Sequence, residues 1–318
     1  MSCQFSGDGT LLAVGLTNGA IKLHKTGTGS LIRTLRNVSN TPVTALRFTS
    51  SPQANSLLLA AYACGTVRCW YVCGGECLWA QREVTEELNP VGGGREENRE
   101  TLCLSLSPSG ERAATGGSDS AVHLYDLATR QRLMTCKASS CRTTMDGHRS
   151  RVFAVTFHPL QEKEFISAGW DNTIQFWDSR QERAVSRIWG PLVCGEALQI
   201  DPNVNHILSG SWRSEKTLEV WDYSSGKKVY EVPQDPLGDS KIYTCHWLGD
   251  GHIMAAGSQV NQLKVIRRSS METVSRLQGL PSPVFSSSVC LSGKWSGLIA
   301  ATSGACVYLL ERSVADRK

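Results

Sequence analysis

The residues best suited to metal chemistry are four closely spaced cysteines. Cys69, Cys73 and Cys77 recur at every fourth position, and Cys64 precedes them. Structural zinc is usually held by Cys-x-x-Cys pairs around a tight knuckle. Here Cys73 and Cys77 instead flank Gly74-Gly75, a pair typical of a turn between two strands. We therefore predict no metal site and no cofactor.

Signatures of catalysis are missing from the sequence. It contains no Gly-x-Ser-x-Gly nucleophile turn and no Gly-x-x-x-x-Gly-Lys-Ser/Thr phosphate loop, since Gly92–Gly94 are followed by Arg95 and Glu96. The histidines have structural explanations, such as a turn before Pro159 for His158. We predict that the protein is not an enzyme.

Composition indicates a globular protein inside the cell. The longest nearly uninterrupted apolar run, Leu57–Cys64, is far shorter than the roughly 20 residues of a membrane helix. The first residues do not resemble a secretory signal, so we expect a cytoplasmic or nuclear location with the 12 cysteines reduced. The net charge of +4 is spread along the chain, and we expect proteins rather than membranes or nucleic acid as partners.

The elements that would carry any function form a repeat. An aromatic or large apolar residue closes each unit at intervals of about 43 to 55 residues, at His24, Trp70, Tyr125, Trp177, Trp221, Ile266 and Leu309. An apolar residue followed by a polar turn keeps a similar period, starting at Phe5, Phe48, Leu106, Phe157, Ile200, Trp247 and Leu291. Two independent markers with one period indicate seven units.

Each unit consists of short β-like runs separated by Gly, Asn, Asp or Ser, as in VFAVTF, EFISAG and TIQFW between Val152 and Trp177. Three or four such strands cannot cover their own faces, whereas radial stacking of the units buries both faces. The pattern predicts an all-β, seven-bladed β-propeller of four-stranded antiparallel blades.

The fourth unit resembles the repeat of the WD-repeat β-propellers. It contains Gly147-His148, Ser167, Asp171 and Trp177-Asp178 in that order. The resemblance implies a hydrogen-bonded chain in which Asp171 orients the ring of His148, and Ser167 links that ring to the indole of Trp177. The third unit keeps Thr115, Asp119 and Tyr125-Asp126 but lacks the Gly-His pair, and the fifth keeps Ser209 and Trp221-Asp222.

We expect a single propeller domain over residues 1–318. The blades are predicted at about residues 1–36, 42–83, 101–136, 147–188, 190–233, 240–280 and 283–312. Insertions at 84–100 and 137–146 interrupt the period. Both are predicted to be surface loops. They are either insertions that the fold tolerates without a function or segments that dock a partner.

The two ends of the chain predict an incompletely closed ring. Propellers of this family close by pairing an amino-terminal strand with the last blade, which hides exposed strand edges. We find no such strand, and only Met1–Phe5 precede the first turn. We expect that an upstream segment would supply the outer strand of blade 7 and most of the inner strand of blade 1.

The sequence favours a scaffold or adaptor that binds other proteins. The resemblance implies binding residues on one rim of the channel, in the turns between second and third strands and in the segments leading into each blade. The candidates are Trp170, Trp212, Arg213, Arg149, Arg151 and Trp189. Exposed Trp and Arg are typical of binding hot spots; the alternative is that these tryptophans cover neighbouring loops.

A second resemblance offers an alternative function. Residues Phe165–Arg180, FISAGWDNTIQFWDSR, are similar to the box ending in Trp-Asp-x-Arg that marks WD-repeat substrate receptors of cullin-RING ubiquitin ligases. It implies that Asp178 and Arg180 contact the ligase adaptor. Ser179 departs from the pattern, which has an apolar residue there, and any well-formed blade supplies most of the box.

Two further interpretations stay open. Arg267-Arg268-Ser269-Ser270 suits a basophilic kinase and makes Ser270 a candidate phosphosite, although such clusters are usually solvated turns. A nucleic-acid- or ribonucleoprotein-associated propeller is the other alternative, and Lys and Arg gathered on one rim would favour it.

Overall fold

The computed structural model describes residues 2–37, 40–49, 57–83, 99–141, 143–236 and 238–311. Within these ranges the chain forms 27 strands and no helix. The strands make seven antiparallel sheets, six with four strands and one with three. The predicted all-β, seven-bladed propeller is confirmed.

The strands of each blade follow one another in chain order. Those of the first three blades are β1 (Ser2–Phe5), β2 (Leu11–Gly15), β3 (Ile21–Lys25), β4 (Leu31–Leu35), β5 (Val43–Phe48), β6 (Leu57–Tyr62), β7 (Thr66–Tyr71), β8 (Glu76–Arg82), β9 (Thr101–Leu106), β10 (Arg112–Gly117), β11 (Val122–Asp126) and β12 (Arg132–Cys136).

The remaining four blades follow the same order, with a shorter seventh sheet. Their strands are β13 (Val152–Phe157), β14 (Glu164–Gly169), β15 (Thr173–Asp178), β16 (Ser186–Trp189), β17 (Leu198–Asp201), β18 (His206–Gly210), β19 (Leu218–Asp222), β20 (Lys228–Glu231), β21 (Lys241–Leu248), β22 (His252–Ser258), β23 (Leu263–Arg267), β24 (Thr273–Leu277), β25 (Val284–Val289), β26 (Ile299–Ser303) and β27 (Cys306–Leu310).

The first strands of the seven blades form a closed ring around the central channel. Each packs on the first strand of the next blade, and β25 packs on β1. At that junction the backbone N–H of Cys3 donates to Ser286 Oγ at 3.1 Å, and that of Phe5 donates to Ser288 Oγ at 3.0 Å. Contrary to our expectation, Ser2–Phe5 themselves supply the inner strand of blade 1, paired along β2. The described part of blade 7 has no fourth strand.

The core lies between blades. Because neighbouring sheets cover both faces of each blade, inner strands are near-continuous apolar runs. In β14 every residue from Phe165 to Gly169 is buried. One core cluster joins Ile166 of blade 4, Leu208 of blade 5 and Ile253 of blade 6. Blade-to-blade packing therefore holds the ring together.

The ring has two faces that carry different segments. The upper face carries the turns between second and third strands and the connections between blades, whereas the lower face carries the other turns. At the tip of the β14–β15 turn on the upper face, Asn172 has a φ of 58°, a left-handed conformation that Asn tolerates. This turn places Trp170 and Asp171 at the upper face.

Two sequence predictions of position need correction. Residues 84–98 of the predicted insertion 84–100 lie outside the described residues, but Arg99, which we placed in this surface loop, is only 1% exposed. Trp189, which we placed in the segment leading into blade 5, is the last residue of β16, the outer strand of blade 4. In the insertion 137–146, Arg142 lies outside the described residues.

Candidate interaction surface

A hydrogen-bonded chain of four side chains crosses blade 4. The Nδ1 atom of His148 lies 2.8 Å from Asp171 Oδ2, and its Nε2 atom lies 2.7 Å from Ser167 Oγ. Trp177 Nε1 donates to Ser167 Oγ at 2.7 Å. Because the indole N–H can only donate, Ser167 accepts from Trp177 and has its own hydroxyl hydrogen left for His148. His148 therefore accepts from Ser167 at Nε2 and donates its Nδ1 hydrogen to Asp171.

Asp171 is the charged end of this chain. Burial would raise the pKa of its carboxyl, but the hydrogen bond and charge of His148 and the backbone N–H of Arg149 lower the pKa below its ordinary value. Thr173 Oγ1 also donates to Asp171, at 2.8 Å. The ionised carboxylate is thus built into the blade and serves to fix the β14–β15 turn.

In blade 3 the buried polar side chains bond to a residue that the sequence analysis missed. Glu83, at the end of blade 2, is buried and accepts hydrogen bonds from Thr101, Thr115 and Tyr125, the last at 2.7 Å. Its carboxylate occupies the place between strands where blade 4 has the imidazole. Burial raises the pKa of Tyr125, and the charge of Glu83 and the hydrogen bond to it act in the same direction.

Arg99 completes the buried cluster of blade 3. Its Nη1 lies 3.6 Å from Glu83 Oε1, and its Nε lies 3.2 Å from Asp119 Oδ1. His123 Nε2 lies 3.3 Å from Asp119 Oδ2. Burial opposes the charge of Asp119, but the hydrogen bond of His123 and the charge of Arg99 lower its pKa. Burial lowers the pKa of His123. The signal for this cluster was present in the sequence, because Thr115, Asp119 and Tyr125 needed polar partners once the Gly-His pair was missing.

An aromatic group lies on the upper face around the channel mouth; we call Phe153, Trp170, Tyr243 and Phe285 the upper aromatic cluster. The rings of Phe153 and Trp170 are 5.1 Å apart, and those of Tyr243 and Phe285 are 5.0 Å apart, measured between centroids. Trp170 is 44% exposed and Phe285 is 46% exposed. The register of β13, β21 and β25 shifts at Phe153, Tyr243 and Phe285 respectively. Such bulges re-aim side chains at strand ends.

The connection from blade 4 to blade 5 joins the two pairs of the upper aromatic cluster. Burial raises the pKa of the Cys194 thiol, and the indole of Trp170 acts on it in the opposite direction. At Gly195 a Cβ atom would lie 2.5 Å from the carbonyl oxygen of Tyr243. Only glycine lets this segment pass so close to Tyr243. The connection from blade 4 to blade 5 therefore runs close to both pairs of the cluster.

The other predicted tryptophans take different positions. Trp212 is half-buried on the upper face, and the Lys241 ammonium lies 4.1 Å from the centre of its ring. Arg213 beside it is half-buried. Trp189 is 57% exposed on the outer strand of blade 4, with Arg187 stacked over its ring at 5.5 Å.

Both predicted arginines of the segment leading into blade 4 are exposed but have internal partners. The Nη2 atom of Arg149 donates to the carbonyl oxygens of Cys141 at 2.6 Å and Thr144 at 2.8 Å. Arg151 pairs with Glu100 of blade 3 at 2.9 Å. These arginines therefore shape the upper face, and Glu100 offsets part of its positive charge.

The residues of the ligase-type box lie on the lower face. The Arg180 side chain is 68% exposed, and its Nε atom donates to Asp178 Oδ1 at 2.8 Å. Hydrogen bonds from Arg180 lower the pKa of Asp178. Ser179 is buried and accepts a hydrogen bond from Arg112 of blade 3 at 2.9 Å. The serine that departs from the pattern is thus used to join two blades.

The predicted phosphosite is also on the lower face. Ser270 is exposed in the β23–β24 turn. Arg268 turns away from it, bonding Asp201 Oδ2 at 2.7 Å and stacking on Trp247 at 4.6 Å. Of the two arginines in the motif, Arg267 is the exposed one.

The central channel is spanned by an ion pair. Arg47 Nη2 of blade 2 lies 2.7 Å from Glu196 Oε1, just before β17 of blade 5. Below them a cavity of about 670 Å³ opens toward the lower face. Its wall includes His246, whose pKa burial lowers to about 4 and whose Nδ1 lies 2.6 Å from Gln199 Nε2.

The cysteines considered for zinc do not gather at one point. Cys69 is buried, Cys64 is half-buried, and Cys73 and Cys77 are exposed. Across the described residues, no three His, Cys, Asp or Glu side chains are placed to hold a metal ion. None of the twelve cysteines forms a disulfide.

No helix within the described ranges is long and apolar enough to cross a membrane.

Comparisons with known proteins agree with this architecture. The model of the WD domain, G-beta repeat, matches residues 97–126 and 139–178. Cell division cycle 20.1, cofactor of APC complex, from Arabidopsis thaliana is 26% identical over 239 residues, covering 73% of this chain and 46% of the relative. Pre-mRNA-processing factor 19 from Mus musculus is 29% identical over 187 residues, covering 58% of this chain and 34% of the relative.

A solved structure extends the likeness to the whole ring. A chain in the crystal structure of a mitotic checkpoint complex superposes with a TM-score of 0.76 and 18% identity, covering 95% of this chain and 83% of that chain. At this identity the likeness shows the fold alone. The chain spans less than half the length of the two curated relatives.

Proposed function

Because the chain is a WD-repeat β-propeller, we propose that it is a non-catalytic scaffold that binds a partner protein through the upper aromatic cluster. The exposure of Trp170 and Phe285 is the observation that carries this proposal, since both rings are rigidly backed by a second aromatic ring. Large, pre-ordered aromatic side chains bury much area on binding and lose little conformational entropy.

The surroundings of the cluster indicate the chemistry of the partner. Lys241 is the first residue of β21, the strand that carries Tyr243, and its ammonium lies over Trp212 on the same face. A partner segment that presents a large apolar side chain to Trp170 and Phe285, with a carboxylate beside it for Lys241, fits this surface. An intracellular location, cytoplasmic or nuclear, is part of the proposal, and unpaired thiols suit a reducing compartment.

Quantitative affinity purification of the tagged protein tests this proposal. We expect Trp170→Ala to lower partner affinity by about 2 kcal/mol, roughly 30-fold, while the ring stays folded. Leu160→Ala is the matched control, because Leu160 is 67% exposed on the lower face. Partners retained equally by Trp170→Ala, Phe285→Ala and the control would exclude the upper aromatic cluster as the binding surface.

A ubiquitin-ligase receptor is the second candidate function. Arg180 is exposed, held in one orientation by Asp178, and placed on the face opposite the upper aromatic cluster. This arrangement leaves the upper face for a substrate while the lower face meets the ligase adaptor. Co-purification of that adaptor, lost in Arg180→Ala and kept in Arg183→Ala, supports this candidate; absence of any association removes it.

A further inference from the structure

The cavity below the ion pair of Arg47 and Glu196 is large enough to hold a ligand. Its volume of about 670 Å³ falls within the roughly 300 to 1,000 Å³ that is typical of ligand pockets. Its wall is formed mainly by the first strands of blades 4 to 7 and by the turns that follow those strands on the lower face. A large side chain that enters from the lower face therefore fits inside it.

The charged side chains of the wall are already paired. Arg47 meets Glu196 at 2.7 Å, and Arg268 meets Asp201 at 2.7 Å. Among the described residues that line the cavity, these four are the only Asp, Glu, Lys or Arg. His246, also in the wall, is uncharged near pH 7, because burial lowers its pKa to about 4. An uncharged occupant therefore fits better than a charged one, which would lose its water without gaining a partner of opposite charge.

Apolar side chains line the way from the lower face into the cavity. Val204, in the β17–β18 turn of blade 5, is 46% exposed, and Leu291, in the β25–β26 turn of blade 7, is 78% exposed. Both line the cavity, as do Leu248 and Val289 of the neighbouring inner strands. Exposed aliphatic side chains grouped at the mouth of a cavity are typical of an interaction site.

The lower turn of blade 6 leaves the mouth of the cavity open. This β21–β22 turn carries Gly249 and Gly251, which both line the cavity, and a Cβ atom added at either would meet no atom within 4 Å. Trp247 and Arg268 also line the cavity, with the guanidinium 4.6 Å from the centre of the indole ring. Larger residues on this turn would narrow the entrance, so its two glycines keep the cavity accessible.

We propose that this cavity takes a large, uncharged apolar side chain, aromatic or branched aliphatic, from a loop of a partner protein. The side chain fills the space lined by Leu248 and Val289, and the rest of the loop rests on Val204 and Leu291. The upper aromatic cluster lies on the opposite face, so the inference does not depend on the proposed function.

A protein loop accounts for this surface better than a small molecule does. A small molecule that filled the cavity would leave the exposed parts of Val204 and Leu291 in water, whereas a loop covers this rim as well as filling the cavity. The centres of protein–protein interfaces are also depleted of charged residues, as the wall of this cavity is depleted of unpaired charge.

Binding of short cyclic peptides tests the proposal. The probes are fluorescent peptides that differ only in the residue at the tip of the loop, which is Phe, Leu, Lys or Glu, and N-acetyl-phenylalaninamide is the probe without a loop. We expect the Phe and Leu peptides to bind at least about tenfold more tightly than the Lys and Glu peptides. N-acetyl-phenylalaninamide should bind about tenfold more weakly than the Phe peptide, because it leaves the rim uncovered.

Gly249→Leu blocks the entrance without disturbing the blade. Because the φ of Gly249 is not positive and the space around it is open, this variant should fold and should weaken binding of the Phe peptide by at least about tenfold. Gly7→Leu is the matched control, since Gly7 lies in the corresponding turn of blade 1, has the same open space and does not line the cavity. Leu291→Ser should weaken binding about threefold, whereas Leu160→Ser, on the same face but outside the cavity, should leave it unchanged.

Other occupants and other sites give different results. Equal binding of the Phe, Lys and Glu peptides, or binding of none of them, would overturn the proposal. Binding that is unchanged in Gly249→Leu would place the site elsewhere and would also overturn it. N-acetyl-phenylalaninamide that binds as tightly as the Phe peptide would assign the cavity to a small ligand instead. A dimer in sedimentation that Gly249→Leu or Leu291→Ser dissociates would assign this face to a second copy of the chain.

Discussion

The guanidinium of Arg47 and the carboxylate of Glu196 meet at 2.7 Å across the central channel, although 149 positions separate them in the sequence. They belong to blades 2 and 5, which are not neighbours in the ring. The pair therefore links two sides of the channel independently of the packing between neighbouring blades, and we call this ion pair the strut.

Removing this strut is expected to destabilise the ring modestly. The two side chains are 25% and 18% exposed, so we expect Glu196→Gln to lower the free energy of unfolding by about 1 kcal/mol. A double-mutant cycle with Arg47→Leu in urea should show a coupling of similar size. The pair Arg151 and Glu100, about half exposed, is the control and should show almost none. Equal couplings in the two cycles would contradict a special role for the strut.

Ser167 is expected to be the most sensitive position of the hydrogen-bonded chain in blade 4. Ser167→Ala leaves Trp177 Nε1 and His148 Nε2 without their partner in a buried site, which should lower the free energy of unfolding by about 2 kcal/mol. Chemical denaturation followed by tryptophan fluorescence measures the change. Ser209→Ala in blade 5 removes the partner of Trp221 and a longer bond to the carbonyl oxygen of Glu219, and should have about half the effect.

Glu83 is expected to be essential to blade 3. Glu83→Gln removes one of the two carboxylates that pair with buried Arg99 and weakens the bonds from Thr115 and Tyr125, so we expect a loss of about 3 kcal/mol of unfolding free energy. Glu100→Gln, in an exposed pair, is the control and should cost less than about 1 kcal/mol. A neutral outcome at Glu83 in calorimetry would show that the blade tolerates loss of this charge.

Acidification is expected to destabilise the protein in two stages. Burial lowers the pKa of His246 from 6.5 to about 4, so the unfolded chain binds a proton that the folded chain does not. The free energy of unfolding should therefore fall as pH decreases from 6.5 to 4, by up to about 1.4 kcal/mol per pH unit for one group. The lowered pKa values of Asp171 and Asp119 move their losses to still lower pH.

His246→Gln isolates the first stage of this pH dependence. The Nδ1 of His246 faces Gln199, its Nε2 faces the carbonyl of Ser287, and Arg47 is the charge that acts on it. We expect the variant to show a flatter slope between pH 6.5 and 4 in denaturation curves, whereas Leu160→Ala, a change at an exposed apolar residue, keeps the wild-type slope. His123 shifts in the same direction, so part of the slope should remain. An unchanged slope would mean that His246 is solvated.

The repeat made the fold predictable. Markers such as Trp70, Trp177 and Trp221 recur because each blade needs a large side chain at the same place, and periodicity reports that need directly. The four-residue chain of blade 4 was predictable from the resemblance of that unit to the WD repeat, because His148, Ser167, Asp171 and Trp177 match the family's motif.

The contacts between distant units were beyond the sequence. Nothing near Glu83 marks it as the acceptor for Tyr125, and nothing near Arg47 points to Glu196. Likewise, Phe153 and Phe285 join the upper aromatic cluster only because bulges in their strands aim them at the channel mouth. Such partners depend on the angle between blades, which no local pattern encodes.

The ion pair of Glu83 and Arg99 links the end of blade 2 to the start of blade 3, with Arg99 Nη1 3.6 Å from Glu83 Oε1. Any stretch of polypeptide between them begins and ends at nearly the same point of the upper face. This junction is therefore a suitable insertion site, where a fluorescent reporter or an epitope tag should leave the ring of blades folded. New chain ends made there by circular permutation should be tolerated for the same reason.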